Sequence, residues 1–310
     1  MSLRHFLIII SILAVFSACK KDDTNPPPQT DPVESEGPDL VFKFTFDPNG
    51  PRLNNFGQPA EVPDGNAGQS PQFNAISAHY FELAPTGWTA LGTGEVLYQG
   101  PETNAGGETA LDFDQAIVKS GDEEFLRVSL SDITPGTYEW IRVSLAYQNY
   151  DINYVWNGMN LSGTLASFIG YNTYISSYNV DNENISVNDD RLQGYWGFET
   201  TLNVLGTDYT ETSTGQAPAG ATTVPNPLFG QSDIPSGSCV VTGPFSNSLV
   251  ISGDETEDIV IELSLSTNQS FEWIEVNEDG LYEPLDANFQ PTGEIPVDMG
   301  VRGLEAIVLE

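Results

Sequence analysis

Three stretches of the chain alternate apolar and polar side chains with a period of two. Leu40, Phe42, Phe44 and Phe46 stand against Val41, Lys43 and Thr45; Leu126, Val128 and Leu130 alternate around Arg127 and Ser129; Ile259, Ile261, Leu263 and Leu265 lie between Val260, Glu262 and Ser264. Alternation of this kind sends one row of side chains into a core and the other toward solvent, so each stretch predicts a β-strand. Shorter runs of the same character predict strands at 76–83, 94–98, 110–118, 137–146, 150–156, 161–168, 173–178, 195–205, 238–242, 249–252, 271–276 and 303–309. Gly, Asn, Pro, Ser and Thr punctuate the gaps, and no stretch holds a helical period for three turns. The expected fold class is all-β: a β-sandwich or jelly roll of many short, mainly antiparallel strands.

One pattern occurs twice, as Tyr138-Glu139-Trp140-Ile141-Arg142-Val143 and Phe271-Glu272-Trp273-Ile274-Glu275-Val276. Period two puts the aromatics on one face and Ile and Val on the other, as expected of central strands covered on both sides. Residues 39–310 fit a single sandwich domain. The turn-rich stretch 211–236 marks a possible subdivision, or a long ordered loop across one sheet end.

The start of the chain has a different character. After Arg4, the run from Phe6 to Phe16 is apolar and too short to cross a bilayer, and it ends in Ser17-Ala18-Cys19-Lys20-Lys21-Asp22-Asp23. Residues 1–18 resemble a bacterial lipoprotein signal peptide, which implies cleavage before Cys19 and acylation of its thiol. The alternative is a leader cut by ordinary signal peptidase, but Phe16 fills the position where that enzyme needs a small residue. Lys20-Lys21-Asp22-Asp23 resembles the export tag of Bacteroidota surface lipoproteins, implying attachment to outer-membrane lipid with the body facing outward. The rest of segment 19–38 is Pro-rich, with little to bury, and reads as a tether.

Charge narrows the partners. The chain carries 44 Asp and Glu against 10 Lys and Arg, a formal charge of −34, so no basic surface exists to neutralise phosphates and nucleic acid is excluded as a partner. Loss of residues 1–18 would leave Cys239 as the lone thiol and His79 as the lone imidazole, so an internal disulfide or a Cys/His zinc site is ruled out.

Four groups of residues are candidates for chemistry. Glu275, Asn277, Asp279, Glu283 and Asp286 place oxygens at the offsets of a calcium loop, with Gly280 at its sharp turn; a hairpin around Asp279-Gly280 joining 271–276 to 281–285 explains the same letters. The acidic runs 181–190 and 254–258 read as solvated turns that could also offer carboxylates to a cation. Tyr147, Tyr150, Tyr154 and Trp156, among Asn149, Asn153, Asn157 and Asn160, have the ring-plus-amide chemistry of a sugar-binding face, or are ordinary strand aromatics with Asn in turns. No nucleophile stands in a recognisable catalytic setting, and a triad could draw only on His79, whose apolar strand predicts a satisfied core histidine.

Segments Val41–Phe46, Arg52–Gly57, Ser77–Leu83, Pro135–Ile141 and Gln193–Phe198 together resemble, in order and layout, the MbnP-like domain, a β-rich copper-binding module of exported bacterial proteins. The resemblance implies copper held by a His nitrogen and an oxidised Trp; His79 with Trp196 or Met159 is the matching set, a poor provision of soft ligands. The expected function is non-catalytic: a surface lipoprotein binding a glycan, a metal ion or a partner outer-membrane protein. The alternatives are a carboxylate-based hydrolase of extracellular polysaccharide and a metal-capture protein. Cells fed labelled palmitate are expected to label the wild-type chain and not a Cys19→Ala variant; an unlabelled wild type would refute the anchor.

Overall fold

The computed structural model describes residues 37–54, 58–217, 235 and 237–309. The leader, Cys19 and the tether up to residue 36 lie outside the described residues, as do 55–57 and most of the predicted boundary beyond residue 217. Residues Ser35–Glu310 form one compact unit.

In chain order the strands are β1 (Asp39–Asp47), β2 (Asn66–Gln69), β3 (Gln72–Ala84), β4 (Glu95–Gln99), β5 (Glu102–Thr103), β6 (Ala110–Asp112) and β7 (Val118–Lys119). There follow β8 (Glu124–Ser129), β9 (Gly136–Trp156), β10 (Met159–Phe168), β11 (Asn172–Asn179), β12 (Asn184–Leu192) and β13 (Tyr195–Val204). The last are β14 (Thr207–Gln216), β15 (Cys239–Ile251), β16 (Ile259–Ser266), β17 (Phe271–Ile274), β18 (Pro296–Asp298) and β19 (Leu304–Leu309). The fold is all-β, with its sheets packed face to face as a sandwich: a 12-stranded sheet, a four-stranded sheet β12-β11-β6-β5 and a three-stranded sheet β18-β17-β2. Most pairs are antiparallel; β1 with β16, β15 with β19 and β6 with β11 are parallel.

Strand β9 organises the whole. Its 21 residues pair on one edge with β3, and on the other with β15 along Gly136–Leu145 and then with β10 along Tyr147–Trp156. The two strands predicted at 137–146 and 150–156 are therefore one. Residues 147–149 hold no glycine or proline, and their side chains are buried within the sheet. Strand β15 likewise merges two predicted strands, with an irregularity between Pro244 and Leu249 where proline cannot donate to the ladder.

Along its first half β9 contributes Ile141, Val143 and Leu145 to the main core, which also holds Leu40, Phe42, Phe44, Phe81, Leu83, Ile261, Leu263 and Leu265. Along its second half both faces are covered. Tyr147 packs with Phe168, Ile175, Tyr178 and Tyr195 beneath the four-stranded sheet. Tyr150 and Ile152 pack with Phe73, Leu165, Phe271 and Trp273 beneath the three-stranded one.

Among the described residues, five strands lay outside the expected set: β2, β5 and β18, each of four residues or fewer, and the longer β12 and β14, which carry no strong apolar signal. β12 has only Ile185 and Val187 half-buried on one face, and β14 is exposed almost throughout. β14 is held by its ladder to β13, through a Leu205-Gly206 turn with φ of 53° and 86°. Positive φ at both turn positions matches the right-handed twist of a hairpin. The repeated aromatic-Glu-Trp pattern diverges in space. In β9 Ile141 and Val143 are core residues, whereas in the second copy Ile274 is 38% and Val276 49% exposed. The predicted strand 281–285 is absent, and residues 275–295 form a long loop instead.

Phe81 lies fully buried, with ring centroids 5.4 Å from Phe42, 6.0 Å from Phe44 and 5.5 Å from Phe125. Truncation there leaves a void bounded by rigid sheets. Phe81→Ala is expected to lower unfolding free energy by about 3–5 kcal/mol in urea titration, against less than about 0.5 kcal/mol for a change at exposed Tyr209.

Candidate functional site

The end of the β9–β10 hairpin brings together two segments separated by well over a hundred residues. Asn157-Gly158, with φ of 50° and 72°, makes the tight turn that places Trp156 opposite Met159. Loop 275–295 folds back onto this end: the Val155 amide donates to the Tyr282 carbonyl at 2.7 Å and the Trp156 indole N–H to the Asp286 carbonyl at 3.0 Å. Tyr282 is seated against Phe271 and Trp273, at ring separations of 5.2 and 5.4 Å. Phe289 lies over Trp156 at 4.7 Å with a 32° interplanar angle. Its φ of 60° is costly for a side chain of this size, and the turn that imposes it is stapled by Asp286, whose carboxylate accepts the Asn288 and Gln290 amides at 2.7 and 2.9 Å.

Between hairpin and loop opens a cleft of about 340 Å³ lined by Gln69, Asn153, Tyr154, Val155, Asn160, Trp273, Gly280, Leu281 and Tyr282. Gln69 is locked in place, exchanging hydrogen bonds with the Asn153 backbone at 2.8 Å in each direction. The Tyr154 ring is half-buried against Phe198, and its hydroxyl meets Thr200 Oγ1 at 3.0 Å. Asn153 and Asn160, both exposed, also line the cleft. The lining holds the rings of Tyr154, Trp273 and Tyr282, two exposed asparagines and the exposed Leu281, with no carboxylate.

The carboxylates of the predicted calcium loop lie next to this cleft, but their oxygens turn back on their own backbone. Glu275 accepts the Asn277, Glu278 and Gly280 amides at 3.1, 3.0 and 3.2 Å, and Asp279 accepts the Leu281 amide at 2.9 Å. Asn277 donates to Glu283 at 2.6 Å, while Asp286 serves the separate turn described above. Buried Glu294 accepts the Val276 and Glu283 amides, and burial raises its pKa. The group is a set of loop staples. Among the described residues no three His, Cys, Asp or Glu side chains gather as a metal-binding group.

The other acidic runs behave alike. Buried Glu199 accepts the amides of Asp181, Asn182 and Glu183 at 3.0–3.2 Å, and Glu255 accepts those of Ser252 and Gly253. Asp258 accepts the Asp39 amide and the Arg127 guanidinium, both at 2.8 Å.

Burial divides the predicted aromatic platform. Tyr147 and Tyr150 are core residues on opposite faces of β9, closed to any ligand, because this half of the strand is covered twice. Tyr154 remains in the cleft lining, while Trp156 is half-buried and packs against Phe289. The copper set does not converge either. His79 sits on β3 near Leu145, Trp196 on β13 three strand spacings away at ~14 Å, and exposed Met159 at the far end of β9, some 35 Å along the strand. Comparisons with family models, curated proteins and solved structures find no match to this chain.

A second cleft, of about 280 Å³, is lined by Glu61, Glu272, Asp298, Arg52, Arg302 and Cys239 among others, with no aromatic ring. Both arginines bind the Glu272 carboxylate, and Arg302 also holds Asp298 at 2.8 Å. Burial pushes the Cys239 thiol pKa up to about 12, which leaves it unreactive near neutral pH.

His79 is buried as expected but is not satisfied. It is the extra residue of a bulge between Ala78 and Tyr80, its ring 5.9 Å from Tyr171, and neither nitrogen has a hydrogen-bond partner. Burial lowers its pKa to about 4 from 6.5. The unfolded chain therefore takes up this proton first as pH falls, so stability is intact above pH 6.5 and drains away toward pH 4. A His79→Leu variant is expected to lose roughly 3 kcal/mol less than wild type across that window in chemical denaturation; identical pH profiles would contradict the assignment.

Proposed function

We propose that this chain is a non-catalytic, lipid-anchored protein of the outer cell surface, and that it binds an extracellular neutral glycan in the cleft between the β9–β10 hairpin and loop 275–295. The observation carrying this reading is the cleft lining, which holds the Tyr154 ring, Leu281 and the exposed residues Asn153 and Asn160, with no ionisable acid among them. Rings cover the apolar faces of sugars, and amides both donate to and accept from hydroxyls. Neutral ligands are favoured because the chain's charge of −34 repels anionic ones. The anchor rests on the Ser17-Ala18-Cys19 leader and the outward orientation on the Lys-Lys-Asp-Asp segment after it.

A polysaccharide hydrolase needs two carboxyl groups flanking the scissile bond, at a spacing set by its stereochemistry. The Tyr154 cleft has no acid in its lining, a third cleft of about 460 Å³ beside Phe46 and Phe73 has a single one, Asp122, and the arginine-lined cleft lacks rings and engages Glu272 and Asp298 with arginine. Binding without cleavage is the better fit.

Affinity electrophoresis through gels containing laminarin, mannan or xyloglucan tests the reading. At least one polymer is expected to retard the wild type, and Tyr154→Ala to weaken retardation roughly three- to ten-fold with the fold intact. Release of reducing ends, or equal mobility in every gel, would count against it.

A further inference from the structure

The connection from β3 to β4 reads Pro85-Thr86-Gly87-Trp88-Thr89-Ala90-Leu91-Gly92-Thr93-Gly94, and Trp88 at its tip is 91% exposed. A large ring left in water normally belongs to a mobile tip or serves a purpose. This loop is held fast. Leu91 is fully buried against Tyr80 and Val240. The Thr89 and Thr93 amides close turns onto Thr86 and Ala90 at 3.1 Å, and the Thr86 and Thr89 hydroxyls meet at 3.3 Å.

Beneath the loop lies a fully buried ion pair. Arg142 Nη1 stands 3.5 Å from Glu82, with neither side chain exposed, and Arg142 Nη2 donates to the Thr89 carbonyl. The Glu82 carboxylate accepts the Gly92 amide at 3.0 Å, the Gly94 amide at 2.6 Å and the Tyr80 hydroxyl at 3.3 Å. Gly87 lies so close to the half-buried Trp140 indole that a Cβ there would come within 3.0 Å of the ring. Burying two charges costs several kcal/mol, so this anchor fixes the loop at real expense. A ring so pre-organised loses little entropy when a ligand covers it.

The surroundings identify that ligand. Segment 86–94 contains no charged side chain, and Thr86 and Thr89 stand on either side of Trp88, with Pro85 the exposed apolar residue of the same connection. Protein hot spots sit in apolar pockets that exclude water, whereas a lone ring amid hydroxyls suits a ligand whose own hydroxyls stay wet. We infer that the Trp88 loop is a second glycan-contact site, stacking on a sugar of the same neutral polysaccharide that occupies the Tyr154 cleft; the inference rests on the function proposed above. Trp140 lies 14 residues before Tyr154 on β9, so the two contacts stand at most about 45 Å apart along the strand, a span that a polymer can bridge. The ligand class is thereby narrowed from glycan to polysaccharide, bound bivalently.

The test uses the full chain in detergent with laminarin as polymer and laminaritriose as short probe, or the matching pair for whichever polymer binds. Trp88→Ala, exposed enough to leave the melting temperature unchanged, is expected to weaken polymer binding roughly ten-fold and leave trisaccharide binding unaltered. Tyr154→Ala is expected to weaken both. If Tyr154→Ala weakens binding and Trp88→Ala does not, the second site is refuted and the cleft stands. If the wild type binds no neutral polysaccharide, both fail. Loss of a protein contact in Trp88→Ala, with polymer affinity intact, would assign the loop to a protein partner and overturn the inference.

Discussion

Everything in this molecule hangs on β9 running unbroken through two environments. Its first half is an ordinary central strand, flanked by β3 and β15 over the main core. Its second half exchanges β15 for β10 and is roofed on both faces by the smaller sheets. Because the strand is continuous, the Trp140–Arg142 end and the Tyr154–Trp156 end are fixed relative to one another by a rigid ladder. The hydrogen bonds of that ladder, and the aromatic packing above and below it, keep two exposed features in register without any helix to brace them.

Four of the arginines clamp one segment to another. Arg52 and Arg302 converge on Glu272, Arg127 joins Asp39, Glu124 and Asp258, and Arg142 is buried with Glu82. The acids left over are handled by a different device. Glu199, Glu255, Glu275 and Asp286 each gather backbone amides from the turn beside them. Carboxylates bonded to several N–H groups hold loops in a single conformation, so an acid-rich chain can build ordered loops without a bound cation. The price is an outer surface of strong negative potential, which selects against anionic ligands.

Strands with alternating apolar residues, such as β1, β8 and β16, were legible in the sequence because one buried face imposes period two. β14 was not, because a threonine-rich edge strand gains its order from pairing with β13 and not from burial. The continuity of β9 was hidden by Tyr147-Gln148-Asn149: polar letters imply a loop unless the partners that satisfy them are known. Those partners are distant, with the Gln148 amide donating to the Met299 carbonyl and Asn149 to that of Val180. The site was half legible. The aromatic-amide cluster and the acidic loop were both visible, yet only the fold joins them at the hairpin end and removes Tyr147 and Tyr150 to the interior. Trp88 gave no signal, since a Trp in a Gly/Thr loop reads the same whether it packs inward or faces water.

Hydrogen–deuterium exchange of the full chain, with and without the polysaccharide that retards it in gels, examines the central claim most directly. Ligand is expected to slow exchange in residues 153–160 and 278–290 while leaving the arginine-lined cleft around Cys239 unchanged. Unaltered exchange at the hairpin end, or protection confined to the Cys239 cleft, would contradict this account.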